Sequence, residues 1–272
     1  MDIKLEIEDG SPWYLSPDIW TVSGEDPLGP PGQPIEGQPC YIWARVHNKG
    51  KDAVWNANVR FYWANPAVGF DRNTANFIGT ANVSLYAGET RDVLCLSKWN
   101  PTFVNNGHEC VMAEAYHRYL DPLPSAPHFN VPTDRHVAQR NLTVLKLARK
   151  KEHFTMSFEI HNTSRLAQSY RISSRVGRLE EIKPLLPYLD PDIPHYGEGK
   201  IAHVGFVAKP CPDEDESKKA EPVVKLEIGP GAKVGLSVVG MLEGDIALLH
   251  VAQNTEEKEV GGLSVLVFRN KE

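Results

Sequence analysis

Between Pro39 and Trp63 the chain reads PCYIWARVHNKGKDAVWNANVRFYW, and the period of its apolar residues leaves little choice of structure. Tyr41 to Val46 is nearly all β-favouring. From Trp55 to Trp63 the odd positions are Trp, Ala, Val, Phe and Trp, while Asn56, Asn58, Arg60 and Tyr62 between them are polar or amphipathic. A period of two sends alternate side chains to opposite faces, which predicts a strand with one buried face. His47-Asn48-Lys49-Gly50 is the expected turn before it, with Gly50 free to take a positive φ. Two strands joined this way need a facing sheet over their apolar side, so the stretch predicts a β-sandwich.

The rest of the chain continues the pattern. Asp2 to Glu8 (DIKLEIE) alternates as an edge strand does, and Asp26 to Pro39 carries too many Pro and Gly to continue a ladder, so it reads as an extended surface loop. Further strands are expected at Phe77 to Leu85, Arg91 to Leu96 and His108 to Ala115. A long connection from Tyr116 to Arg135 follows, and Val137 to Leu145 is expected as one closing strand. Short strands divided by turns, without a long amphipathic helix, favour an immunoglobulin-like sandwich.

The second half repeats this order. TMSFEIHN (Thr155 to Asn162) matches YIWARVHN (Tyr41 to Asn48), Leu226 to Val234 parallels Leu85 to Val93, Ile246 to Ala252 stands where Cys110 to Tyr116 stood, and Gly262 to Phe268 echoes Asn141 to Leu147. Matches in the same order suggest duplication of one module. The expected class is therefore all-β, with two tandem immunoglobulin-like antiparallel sandwich domains at 1–146 and 147–272. The boundary lies near Arg149-Lys150-Lys151, and the second domain carries an insertion at about 179–222. Glu180 to Leu189 reads as a short helix within it, and Pro210 to Pro222 as a charged, solvated loop.

Composition narrows the function. A formal net charge of −6, with no dense basic run beyond 149–151, argues against nucleic acid as a partner. No apolar run approaches the ~20 residues of a membrane span, and the first residues lack a secretory layout, so the default compartment is the cytosol. Cys40, Cys95, Cys110 and Cys211 fit no metal-ligand spacing. The first three read either as buried thiols or as one disulfide, Cys40 to Cys110 or Cys95 to Cys110, which would need an oxidising compartment. Asn-x-Ser/Thr sequons stand at Asn82, Asn141 and Asn162.

Two constellations are candidate sites. Trp43 has the opposite parity to Ile42, Ala44 and Val46, which puts it with Tyr41 and Arg45 on the outward face. Aromatic residues beside Arg are the composition of an interface hot spot, or else the proline-rich loop covers them. Trp55 and Trp63, by contrast, share the core parity of their strand. His108, His117, His128 and His136 with Asp121 and Asp134 are the one cluster with metal-ligand potential if loops bring three together. Nucleophile elbows, HExxH helices, SxxK motifs and phosphate-cradling loops are absent from the sequence, and no cofactor is called for.

Asp18-Ile19-Trp20, Ala44 to Gly50, Phe61 to Ala64, Ile78-Gly79-Thr80, Trp99-Asn100-Pro101, Gly107 to Cys110 and Val137 to Asn141 together resemble the bacterial adhesion-related immunoglobulin-like (CARDB-like) modules, over residues 18–145. The resemblance implies an immunoglobulin-like sandwich, usually an accessory part of a larger exported protein, with no common catalytic residues. The leading expectation is a non-enzymatic module that binds a protein or forms part of an assembly. An extracellular carbohydrate-binding or adhesion module is the alternative, and a metal-dependent enzyme using the His/Asp cluster is the second alternative.

Overall fold

The computed structural model describes residues 1–64, 67–68, 72–73, 75–102, 110–126, 129–148, 152–162, 164–189, 193 and 196–269. His108, His128 and the basic stretch 149–151 lie outside the described residues.

The first half contains β1 (Leu5–Glu6), β2 (Ile19–Ser23), β3 (Cys40–Asn48), β4 (Val54–Ala64), β5 (Ala67–Val68), β6 (Asn76–Leu85), β7 (Thr90–Leu94), β8 (Cys110–Tyr116) and β9 (Val137–Arg140). Strand β3 pairs with β7 along one edge and with β1 and β2, end to end, along the other. The facing sheet runs β6-β4-β8-β9, all antiparallel. Inward residues of both sheets, among them Ile19, Ile42, Val46, Val59, Phe61 and Leu85, form one core. The molecule is thus all-β, and this half is a two-layer sandwich of the kind that alternating strands require.

A bulge in β4 corrects one expectation. The β4–β6 register shifts between Val54 and Ala57, and Asn56 takes a left-handed φ of 57°. An extra residue reverses inward and outward parity across the bulge. Val54 is therefore buried ahead of it and Ala57, Val59 and Phe61 beyond it, while Trp55 is 59% exposed. Trp63 does pack against the core, stacked 6.2 Å from Trp99. At the preceding turn, Gly50 is not among the positive-φ residues. It is needed for space, because a Cβ there would stand 2.1 Å from the Asp2 carbonyl oxygen.

A second correction falls on the strand expected from Val137 to Leu145. It breaks at Asn141: β9 stays with the first sandwich, whereas β10 (Leu142–Leu147) runs parallel to β17 (Glu259–Arg269) in a sheet of the second half. The Asn141 amide accounts for the crossing, since its Nδ2 donates to the Gly262 carbonyl and its backbone N–H to the Tyr14 carbonyl.

The second half adds β11 (His153–His161), β12 (Gln168–Gly177), β13 (Lys200–Val207), β14 (Val223–Ile228), β15 (Lys233–Glu243) and β16 (Ile246–Asn254). One sheet is ordered β10-β17-β16-β12-β14 and the other β13-β15-β11-β5. Phe158, Phe206, Leu236, Leu249 and Val265 are among the side chains filling the space between them. The stretch 179–222 supplies a 3-10 helix at Leu179–Tyr188, the ladder strand β13, and the short helix α1 (Glu214–Ser217). Pro184 and Pro187 each remove an N–H donor, which suits the segment to 3-10 rather than α geometry. Its Ile182, Leu185 and Leu189 cover the back of β16 and β17 together with Tyr14 and Leu15 from the first half. That sheet is buried on both faces, which explains the nearly unbroken apolar runs of its central strands.

Both halves carry the same clasp. Asn48 and Asn162 are each fully buried at the end of β3 and just past β11. The Asn48 carbonyl accepts from Gly88 N–H and its N–H donates to Glu89; the Asn162 carbonyl accepts from Gly231 N–H and its N–H donates to Ala232. Gly88 and Gly231 have φ of 71° and 68°, a region where a Cβ is strained. Gly88 therefore corresponds to Gly231, two residues beyond the Gly229 that simple alignment of the motifs pairs with it.

Candidate functional site

Of the expected His/Asp cluster, the described residues Asp121, Asp134 and His136 come together as a polar network. In β9's lead-in, the ring of His136 lies between two carboxylates, with Nδ1 2.7 Å from Asp134 Oδ1 and Nε2 3.1 Å from Asp121 Oδ1. All three are buried. Asp121 also accepts the Leu5 N–H at 2.7 Å and pairs with Arg135, and Arg72 stands 3.9 Å from Asp134. Burial alone would push the His136 imidazole down, but the flanking carboxylates outweigh it and hold it above its ordinary value. Burial likewise acts to raise Asp121 and Asp134, yet the bonds from His136 and backbone N–H groups leave both below the usual carboxylate range. His117 stands apart: its Nδ1 accepts the N–H groups of Tyr119 and Leu120, capping a turn. Both ring nitrogens of His136 face carboxylates, so the described part of the cluster is held together as an ion-pair network.

Next to this network, Glu114 is wholly buried and receives Tyr62 Oη at 2.8 Å and Arg72 Nε at 2.7 Å. Asp9 is crowded as well. Burial first, then Glu6, Asp134 and Glu8, push its carboxyl up to about 8.

The outward aromatic face is met from within the chain. Trp43 is half-buried, stacks on Trp20 at 5.9 Å, and donates its indole N–H to the Pro27 carbonyl at 3.0 Å. Tyr41 is buried with its hydroxyl donating to the Glu25 carbonyl, and Arg45 makes a two-bond pair with Asp92 while lying 5.5 Å over Trp20. Tyr188 of the 3-10 helix also stacks on Trp20, at 5.3 Å. The Trp43–Trp20–Tyr188 stack thus joins the two halves, and the proline-rich loop lies over one end of it.

Three other features escaped sequence reasoning. Trp55 and Tyr86 form an edge-to-face pair at 5.6 Å, 59% and 60% exposed, at the bulged end of β4. On the outer face of the same sheet, Asn58, Arg60, Tyr116 and Arg118 line an open groove of about 410 Å³, with Arg60 4.9 Å over the Tyr116 ring. Only the parity shift at the bulge could have revealed Trp55, and a bulge has no fixed sequence signature. The third is Glu8, Asp18 and His47, whose donor atoms all lie within 4.8 Å of one another. They come from segments too far apart in sequence to show a ligand spacing. No disulfide joins Cys40, Cys95, Cys110 and Cys211, and the first three are buried.

No family model matches the chain, and no curated protein matches it. Among solved structures it is similar to the CARDB domain of a Pyrococcus furiosus protein in complex with di-metal ions, at 15% identity and a TM-score of 0.30, covering 51% of this chain and 90% of that one. It is also similar to a β-glucosidase of Erythrobacter marinus (12% identity, TM-score 0.26) and to a GH3 β-glucosidase of Bifidobacterium adolescentis (14%, 0.24). Each of these two matches covers 50% of this chain but only 15% and 17% of the glucosidase.

Proposed function

We propose that the chain is a non-enzymatic, tandemly duplicated β-sandwich module that binds a protein partner within a larger assembly. The exposed Trp55–Tyr86 pair carries this reading. A strand places every second side chain inward, and the bulge at Asn56 instead turns a large indole to solvent, the kind of local re-aiming that bulges provide. Trp and Tyr anchor interfaces because they bury much apolar area while keeping a polar tip. The shared Asn48 and Asn162 clasps support the duplication. The His136–Asp121–Asp134 and Glu114 networks are buried and bonded within the fold, which favours surface recognition as the task of this half.

Trp55→Ala with Tyr86→Ala tests it. Both side chains are exposed, so unfolding free energy should change by no more than about 0.5 kcal/mol per site. The double variant should lose a defined partner that the wild-type chain retains on a column and that mass spectrometry identifies. Equal retention of that partner by both proteins rejects the aromatic pair as the docking point.

The groove of Asn58, Arg60, Tyr116 and Arg118 favours a second reading, a carbohydrate-binding or adhesion module, because an aromatic ring beside amide and guanidinium donors suits a sugar ring. Retardation in polysaccharide gels that Tyr116→Ala removes would select it over the first.

A further inference from the structure

We infer that Glu8, Asp18 and His47 form a binding site for a single divalent transition-metal ion of the Zn²⁺ class. The site arises from a break in one sheet edge. Strand β1 pairs with β3 at His47 and Asn48, the chain then leaves, and it returns at Asp18, whose carbonyl accepts the Arg45 N–H, before β2 pairs with Cys40 to Ala44. Exit and return meet beside His47, which shares the outward face of β3 with Trp43 and Arg45.

The donors are held from behind. His47 Nε2 lies 2.7 Å from Asp18 Oδ2, and its Nδ1 is 2.8 Å from the Thr90 hydroxyl, which fixes the ring as outer partners of metal-bound imidazoles do. Asp18 is anchored by the Glu8 N–H on Oδ2 and by its own N–H donating to Ser16 Oγ, while Ser16 Oγ in turn donates to the Glu8 carbonyl. Asp18 is 3% exposed, and its Oδ1 has no hydrogen bond among the described residues. The Glu8 carboxylate likewise has no hydrogen bond or ion pair among them, yet stands within 4.8 Å of both other donors.

A bare His–Asp ion pair would explain two of these residues and not the third. Arg45, on the same outward face of β3 as His47, is already bound to Asp92. Two carboxylates and an imidazole thus converge where no side-chain cation pairs with Glu8 among the described residues, and a divalent ion matches that N,O donor set. Ligands at about 2.1 Å would open the His47–Asp18 pair to roughly 3.4 Å, a shift of less than an ångström, and water completes the sphere. Glu8 is exposed and also lines a cleft of about 400 Å³ with Asp9, Arg178 and Glu180, which gives the ion a route in.

The test is calorimetric titration of the full chain with ZnCl₂, repeated with Co²⁺ to read its visible absorption spectrum. One saturable site is expected. Glu8→Ala should weaken Zn²⁺ by at least about tenfold with an unchanged circular dichroism spectrum, since that side chain makes no bond among the described residues. His47→Gln should abolish the site, and Thr90→Val should weaken it by about 10-fold or more by freeing the ring. Zn²⁺ should also raise the melting temperature of the wild type and not of Glu8→Ala. Absence of saturable binding, identical binding by wild type and Glu8→Ala, or equal affinity for Ca²⁺ would each overturn the assignment.

Discussion

His136 in the first half and His250 in the second are 4% and 1% exposed, yet their surroundings push the two imidazoles in opposite directions. His136 is raised above its ordinary value and His250 is lowered to about 4. Burial, the largest influence on both, acts downward in each case, so burial is not what distinguishes them. His136 faces two carboxylates, at 2.7 and 3.1 Å. His250 on β16 spends Nδ1 on the Ser264 hydroxyl at 2.7 Å, and its Nε2 is 3.4 Å from Glu181, whose charge is already committed to Arg175. Arg175 also lowers His250 directly. A buried imidazole is held charged when two anions flank it and neutral when its one nearby anion already has a cation. The first half thus locks its polar cluster by charge, and the second keeps its histidine as a neutral spacer under Tyr14, 6.2 Å away.

The largest expected effect breaks the charged cluster. Asp121→Asn removes the carboxylate that serves His136, Arg135 and the Leu5 N–H together. Deleting one member of a buried charged set leaves the others uncompensated and costs about 3–5 kcal/mol. All six tryptophans lie between Trp13 and Trp99, so indole fluorescence during urea unfolding reports on this half. A loss below about 1 kcal/mol would show that Asp121 does not hold the cluster.

How much of this was legible beforehand depended on whether the signal was local. Alternation is local, and it yielded the all-β class and the strands β3, β4 and β6. One inserted residue at Asn56 then reversed the meaning of that alternation for Trp55. The break at Asn141 was hidden because Val137 to Leu145 is uniformly β-favouring, and the change of sheet is set by bonds to Gly262 and Tyr14. His136, Asp121 and Asp134 were visible as residue types, but their role turned on which partners faced the ring, and the same types serve a metal or an ion-pair network. His250 gave no signal at all, since its partners Glu181 and Ser264 are far off in sequence. Glu8, Asp18 and His47 are likewise joined only by strand pairing.

A smaller effect, of opposite sign in the two halves, separates the histidines by pH. The unfolded chain protonates His250 near 6.5 and the folded chain only near 4, so between those values the unfolded state binds more protons. The stability that neutral His250 contributes is present in full above 6.5 and is lost as pH falls towards 4, by about 3 kcal/mol. His136 runs the other way: its raised folded value makes its contribution complete below 6.5 and lost as pH rises through that folded value. Asp9, raised from 3.8 to about 8, also favours the folded state at lower pH across this window, so the wild-type curve alone mixes the signs. The difference between wild type and His250→Gln isolates one of them. The excess of the wild-type urea midpoint over that of the variant should shrink as pH falls from 6.5 to 4, and a constant difference would reject the neutral spacer.

The smallest change in stability carries the sharpest test. Arg175→Gln removes the cation that both repels a proton on His250 and occupies Glu181. Glu181 owes its value of about 2 first to the Arg175 hydrogen bond, then to opposing burial and the Arg178 N–H. Without Arg175 its carboxylate is released 3.4 Å from Nε2, a step from a direct bond. The Arg175 side chain is 53% exposed, so losing its ion pair should change stability by no more than about 1 kcal/mol. The His250 imidazole, followed by its ring-proton shift against pH, should nevertheless move up from about 4. It should stop short of His136, because one carboxylate replaces none where His136 has two. Were it to stay near 4, burial alone would set it, and the contrast between the halves would reduce to how deeply each ring is sunk rather than to which charges face it.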